Sequence, residues 1–270
     1  MRKLRASLLT IVTWIIGLLF FFPIGWMVFT SFKTERAAAA NPPSIFTQLS
    51  FDQYAAVFDR GIGTYLLNSA MASIGSTLLV LVLAIPAAYA LSVRPIKKVQ
   101  DVLFFFISTR FLPVAAAIIP LFFILKTLGL LDNINALGLL YAAMNLPIAV
   151  WMMRSFFSEV PTEIVEAAQI DGADLRTEML RVVLPILVPG IASVALICFI
   201  FSWNEYFLSL ILTTVNARTT PPFLASFVDG RGQFLAVLSA ASTLAVLPVV
   251  AAGWLAQKQL VRGLAMGAVK

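Results

Sequence analysis

Residues 64–92 read TYLLNSAMASIGSTLLVLVLAIPAAYALS, and none of them carries a charge. A helix needs about 20 apolar residues to cross roughly 30 Å of hydrocarbon, so this stretch is of spanning length by itself. Comparable runs occupy residues 8–30, 100–125, 135–157, 186–212 and 235–256, which predicts six spans in all. In lipid every backbone group must be paired within its own segment, whereas a spanning strand would be shorter and alternating, so these runs are expected to be helices. The expected fold is all-α: a polytopic membrane protein with a single transmembrane domain over residues 1–270.

Composition points the same way. Of the 270 residues 60% are apolar and 12% charged, against roughly 45–50% and 25% in soluble domains. A water-soluble fold is excluded. There is no His, and Cys198 is the only cysteine. His- or Cys-ligated metal sites, Cys–His catalysis and an intrachain disulfide are therefore excluded as well.

Met1-Arg2-Lys3-Leu4-Arg5 precedes an apolar run from Ser7 to Ser31. That is longer than the 7–15-residue core of a signal peptide, and Lys33, Glu35 and Arg36 separate it from the small residues Ala37 to Ala40. An uncleaved first span is expected.

The chain has 19 Lys and Arg against 13 acids, a formal charge of +6; in a membrane chain this excess reports orientation first. With the N-terminus on one side, Arg2, Lys3, Arg5, Arg94, Lys97, Lys98, Arg176, Arg181, Lys258, Arg262 and Lys270 collect there, with Arg154 near the boundary. Lys33, Arg36, Arg60, Lys126, Arg218 and Arg231 fall on the other side. Positive-inside bias then places both termini in the cytoplasm. Residues 31–63, expected to hold a short surface helix, and the turn-rich residues 213–234 become external loops.

Residues 158–185, SEVPTEIVEAAQIDGADLRTEMLRVVLP, hold six acids with Arg176 and Arg181 and cannot be a span. Pro161 is tolerated in a first helical turn. Ile164, Ala167, Ala168 and Asp171 recur at helical spacing and predict one face of small and apolar residues. Gly172 is expected to break this helix with a positive φ. Asp174 is placed to cap a second helix, whose apolar stripe is Leu175, Met179, Leu180, Val182 and Val183. A cytoplasmic helix–Gly–helix unit results. Its alanines allow close approach by another surface, and Glu163 and Glu166 suit a basic partner; an ordinary interfacial loop is the alternative.

Glu166-Ala167-Ala168, then Gly172, then Val182-Val183-Leu184-Pro185 resembles the EAA motif of ABC-importer permeases, EAA-x3-G-x9-I-x-L-P, with Val182 in place of Ile. Leu67-Asn68-Ser69, Ala87-Ala88-Tyr89-Ala90-Leu91, Ile170-Asp171-Gly172-Ala173, Trp203-Asn204-Glu205 and the tail from Gly263 to Lys270 are similar to the carbohydrate-uptake branch, the maltose-type second permease. Ser108-Thr109-Arg110-Phe111-Leu112-Pro113 resembles its polyol group, whose solutes include mannitol and sorbitol.

The resemblance implies a coupling element of Glu163, Glu166, Ala167, Ala168, Asp171, Gly172, Leu184 and Pro185, seated in a groove of a separate ATPase. It implies a second permease subunit, an ATPase dimer carrying ATP and Mg, and an extracytoplasmic solute-binding protein. Consistent with a separate engine, the chain has no G-x-x-x-x-G-K-[ST] phosphate loop and no Gly-Lys pair. Nothing expected here binds a cofactor. Pro221, Pro222, Asp229, Gly230, Arg231 and Gly232 lie in the stretch resembling the family's loop that reaches the binding protein.

Ionisable groups within spans are costly and mark a solute path by default. Arg110 and Glu205 are the clearest, with Glu205 expected near the middle of its span, and Asn68, Asn145 and Asn204 join them. Asn204 and Glu205 are placed to bond sugar hydroxyls, with Trp203 or Tyr206 stacking on the ring; interhelical glue is the alternative. Pro113, Pro120, Pro147, Pro189 and Pro248 are read as structural. A secondary transporter working without an ATPase would usually show intramembrane acid relays or an internal repeat, and neither is legible. A membrane enzyme would have little to build catalysis from. An ABC permease for a non-carbohydrate solute stands as a further alternative.

Overall fold

The computed structural model describes residues 2–93, 97–111, 114–228 and 234–268, with side chains described between residues 7 and 259. The described residues contain helices and no strand, so the fold is all-α. In chain order the helices are α1 (Arg2–Thr30), α2 (Glu35–Ala38), α3 (Asp52–Asp59), α4 (Ile62–Ser92), α5 (Val99–Arg110), α6 (Val114–Thr127) and α7 (Ile134–Phe157). There follow α8 (Thr162–Ile170), α9 (Leu175–Thr177), a π-helical stretch (Glu178–Val183), α10 (Leu184–Ile186), α11 (Val188–Trp203), α12 (Phe207–Leu212), α13 (Thr220–Ala225) and α14 (Leu235–Ala268).

Four helical segments are long and apolar enough to cross a membrane: Ser7–Thr30, Ile62–Ser92, Ile134–Phe157 and Leu235–Gln259. Two of the six expected spans are broken. The run at 100–125 is the pair α5 and α6, whose axes differ by 85°. The run at 186–212 is neither straight nor continuous. Leu175–Ile186 meets α11 at 80°, and α11 itself stops at Trp203, three residues before α12. Counting each bent pair as one span gives six. The physical reason for the first bend in the second pair is visible: Leu187 leaves the helical ladder between Pro185 and Pro189, neither of which has an N–H to give.

The chain divides into two compact units. The first comprises residues 1–64 and 222–247. Residues 7–24 of α1 are exposed although almost wholly apolar, with Phe20 80% exposed and Leu19 67% exposed; such a surface is suited to lipid or another chain. The expected surface helix between residues 31 and 63 is present as α3, with the single turn α2 ahead of it. Glu35 of α2 accepts the backbone N–H groups of Ala236 (2.9 Å) and Val237 (2.8 Å), capping α14 from a distance. Lys33, expected as a loop charge, is 2% exposed. Its Nζ donates to the Ser44 carbonyl at 2.7 Å and lies 4.3 Å from the Trp26 ring centroid. Burial lowers its pKa.

The second unit comprises residues 65–221 and 248–270. Its larger core joins Val80, Ala84 and Ala88 of α4 to Ala149, Val150, Met153 and Phe157 of α7, and to Val194 and Cys198 of α11. A second cluster joins Ala72, Ile118, Leu137, Tyr141, Leu208 and Leu212. Burial of these aliphatic and aromatic side chains contributes roughly 1.5–3 kcal/mol each in water; within a bilayer the same contacts act through packing instead. Gly190 marks how closely α11 meets α7: a Cβ there would lie 2.6 Å from the Phe156 ring.

Candidate coupling and translocation site

The helix–Gly–helix unit belongs to the second body. Pro161 precedes α8 with φ −59°, and Glu163 stands in the first turn, where the helix dipole favours an acid. At the other end Gly172 N–H bonds to the Gln169 carbonyl and Ala173 N–H to the Ala168 carbonyl. This paired closure needs a left-handed residue at position 172, and Gly172 has φ +81°. Asp174 then caps the next turn by accepting the Thr177 N–H at 2.9 Å. Hydrogen bonds from the Thr177 side chain and backbone hold the Asp174 carboxyl below its usual pKa.

The faces of α8 differ from expectation. Val165 and Ala168 point inward, while Glu163, Ile164, Glu166, Ala167, Ile170 and Asp171 are exposed. The expected face of Ile164, Ala167, Ala168 and Asp171 is thus split, because the packing stripe is centred one position away. The predicted second helix is also only a short α-turn followed by the π-helical stretch, in which Leu184 N–H reaches back five residues to the Met179 carbonyl. Pro185 lacks the N–H that would bond the Arg181 carbonyl in an α pattern. Within this segment Val183 and Glu178 are fully buried, whereas Leu175 and Leu180 are exposed. Leu184 is half-buried and Pro185 exposed. A cavity of about 450 Å³ opens beside α8, lined by Ser92, Phe157, Thr162, Glu166 and Gln169 among others.

The residues expected along a solute path have diverse surroundings. Arg110, the exposed last residue of α5, donates from Nη1 to the Met144 carbonyl at 2.6 Å and lies 5.4 Å from the Phe201 ring centroid. It borders a mainly apolar cavity of about 440 Å³ with Thr109, Met144 and Pro147. Asn145 is 3% exposed; its Nδ2 donates to Ser202 Oγ, which lies 2.9 Å from Ser76 Oγ. Trp203 is buried, against Phe199. Asn204 is exposed, and its Nδ2 bonds the Ile200 carbonyl.

Glu205, expected mid-helix, stands in the break between α11 and α12. Its two carboxylate oxygens accept the N–H groups of Leu208 (2.9 Å) and Ser209 (3.3 Å), so it caps α12. Asn68 is a loop anchor, donating to the carbonyls of Asn216 (2.8 Å) and Arg218 (3.0 Å).

Pro221 and Pro222 lie in the first half of α13, Pro221 half-buried and Pro222 buried. Asp229, Gly230, Arg231 and Gly232 lie outside the described residues, as do Arg94, Leu112, Pro113, Val269 and Lys270.

Two features were not anticipated from the sequence. One is the buried polar line Ser69, Ser73 and Ser76 on α4, which meets Thr220 and Ser202; its i, i+4, i+7 spacing was the available signal. The other is Asp132, at φ +53° in the turn before α7. Its carboxylate accepts the N–H groups of Thr214, Val215, Asn216 and Ala217, the Thr214 hydroxyl and the Asn216 amide. Burial pushes the Asp132 carboxyl upward, but the four backbone donors outweigh it and hold the pKa well below the carboxylate range.

Residues 80–265 match the model of the family described as binding-protein-dependent transport system inner membrane component. The chain belongs to that family. Among curated members, a probable ABC transporter permease of Sinorhizobium fredii is 33% identical over all of this chain and 97% of its own length. The sulfoquinovosyl glycerol transport system permease of Agrobacterium fabrum is 32% identical over 92% of this chain and 88% of its own. The diacetylchitobiose uptake system permease of Streptomyces coelicolor is 31% identical over 97% and 95%. A chain of a bacterial ABC transporter involved in import of the acidic polysaccharide alginate superposes with TM-score 0.76 at 23% identity, covering 96% of this chain and 97% of that one. This inner membrane component is therefore a transport subunit with the fold of an ABC importer permease.

Proposed function

We propose that the chain is one of two permease subunits of an ATP-driven importer for a carbohydrate, and that the α8–Gly172 turn is where it engages a separate ATPase dimer. The observation that carries this reading is the turn itself: a helix projecting Glu163, Glu166 and Ala167 outward, closed by Gly172 in the left-handed region at φ +81°, which glycine adopts most readily. Relatives named for sulfoquinovosyl glycerol and diacetylchitobiose support a carbohydrate solute. ATP and Mg are assigned to the ATPase, and solute delivery to an external binding protein. The distribution of Lys and Arg supports a cytoplasmic location for both termini and α8.

Within the membrane, Arg110 and Asn204 are the exposed polar groups proposed to meet the passing solute. Asn145, Trp203 and Glu205 hold the helices that present them. Reconstitution of the complete transporter with its ATPase and binding protein tests the whole reading. Sugar uptake into proteoliposomes should require ATP on the ATPase side, and uptake by this chain alone without ATP would replace it with a secondary transporter.

A further inference from the structure

We infer that Glu178 is the positioning residue that ties the coupling helix to membrane helix α4, making the two move as one body; this rests on the reading of α8 as the ATPase contact. Glu178 is fully buried in the π-helical stretch. One of its oxygens, Oε1, accepts the hydroxyl of Tyr89 in α4, and the other, Oε2, accepts Nε2 of Gln169 in α8 at 3.1 Å. A single carboxylate therefore joins its own π-helical stretch to α8, nine residues before it, and to α4, 89 residues before it.

The donors are themselves fixed. Gln169, exposed at its own surface, stands one helical turn after buried Val165 and reaches Glu178 from the edge of that face, and the next residue but two is the Gly172 reversal. Tyr89 is 3% exposed and lies edge-on to Phe157, the last residue of α7, with ring centroids 5.7 Å apart. Apolar packing alone between α8 and α4 would permit sliding. A buried carboxylate with directional donors on both sides selects one register, because displacement strands the buried Glu178 carboxylate and Tyr89 hydroxyl away from water. Inserted π turns of this kind recur at functional positions in helices. Here the turn is the segment that buries Glu178.

The test uses the full transporter in proteoliposomes and measures solute moved per ATP hydrolysed, alongside the amount of ATPase that co-purifies. Glu178→Ala should keep the ATPase bound and hydrolysing while transport per ATP falls about tenfold, in the range of ordinary coupling energies. Glu178→Gln should restore most of the ratio, since Gln169 can turn its amide to accept from the new one. Tyr89→Phe and Gln169→Ala test the same bridge in a chain that keeps Glu178, and their combination should approach the Glu178→Ala ratio. A Glu178→Ala transporter with the wild-type ratio overturns the inference. So does a loss of transport matched by equal loss of bound ATPase, which would make Glu178 merely structural. Absence of ATPase from the wild-type preparation overturns the coupling-helix reading itself, and this inference with it.

Discussion

Asp132 accepts both the backbone N–H of Asn216, at 2.9 Å, and its side-chain amide, at 3.0 Å. With the other donors from residues 214–217, the carboxylate organises the chain leading into α13 around one charge. Asp132→Asn keeps a residue that tolerates φ +53° yet turns an amide N–H₂ toward these donors. Loss of charged hydrogen bonds should lower stability by ~1.5–3 kcal/mol. Hydrogen exchange at Thr214 to Ala217 should rise correspondingly.

The same site sets a pH dependence. The folded carboxyl titrates below its unfolded value of about 3.9, so the unfolded state binds the proton more readily and stability rises with pH through that window. The contribution is fully present above about pH 4 and is lost as pH falls toward the folded pKa. Thermal melts of wild type and Asp132→Asn should therefore differ at neutral pH and converge in acid. A constant difference would contradict the clamp.

Two glycines separate backbone strain from crowding. At Gly172 nothing lies within 4 Å of a built Cβ, so Gly172→Ala meets only the φ penalty of roughly 1–2 kcal/mol. At Gly190 the φ is ordinary and the Phe156 ring is in the way, so Gly190→Ala should cost about 1–3 kcal/mol through overpacking. The first should depress ATP-driven uptake more than the melting temperature. The second should depress the melting temperature first.

Asn145 and Ser202 link α7 to α11 inside the second unit, and Ser76 extends the link to α4. Asn145→Ala should destabilise the protein by ~1 kcal/mol, the order of one buried hydrogen bond, while leaving the half-saturating solute concentration for uptake unchanged. A raised half-saturation with unchanged melting would assign Asn145 to the solute path instead. Arg110→Ala should show that opposite pattern, because Arg110 is exposed beside a cavity.

Hydropathy located the apolar helices of spanning length, and Gly172 with Asp174 revealed the helix reversal, because both signals are local. The breaks near residue 111 and at residues 204–206 were invisible to the same reading: apolar runs remain apolar whether the helix continues or stops. Glu205 reads as a costly mid-span acid until the break supplies two N–H groups for it. Asp132 and Glu178 look like ordinary solvated acids in polar segments. Only their partners, 82 residues or more away for Asp132 with Thr214 and 89 for Glu178 with Tyr89, give them a role. The π register explains why the inward face of residues 178–183 fell elsewhere than an α wheel places it.

Site-specific photo-crosslinking in native membranes tests whether the outward face of α8 meets the ATPase. A photoreactive residue at Ala167 or Glu163 should capture the nucleotide-binding subunit in high yield, and the same probe at buried Val165 should not. Capture from Ala167 and Glu163 of lipid or nothing, with the transporter intact and active, would contradict the assignment of the α8–Gly172 turn as the ATPase contact.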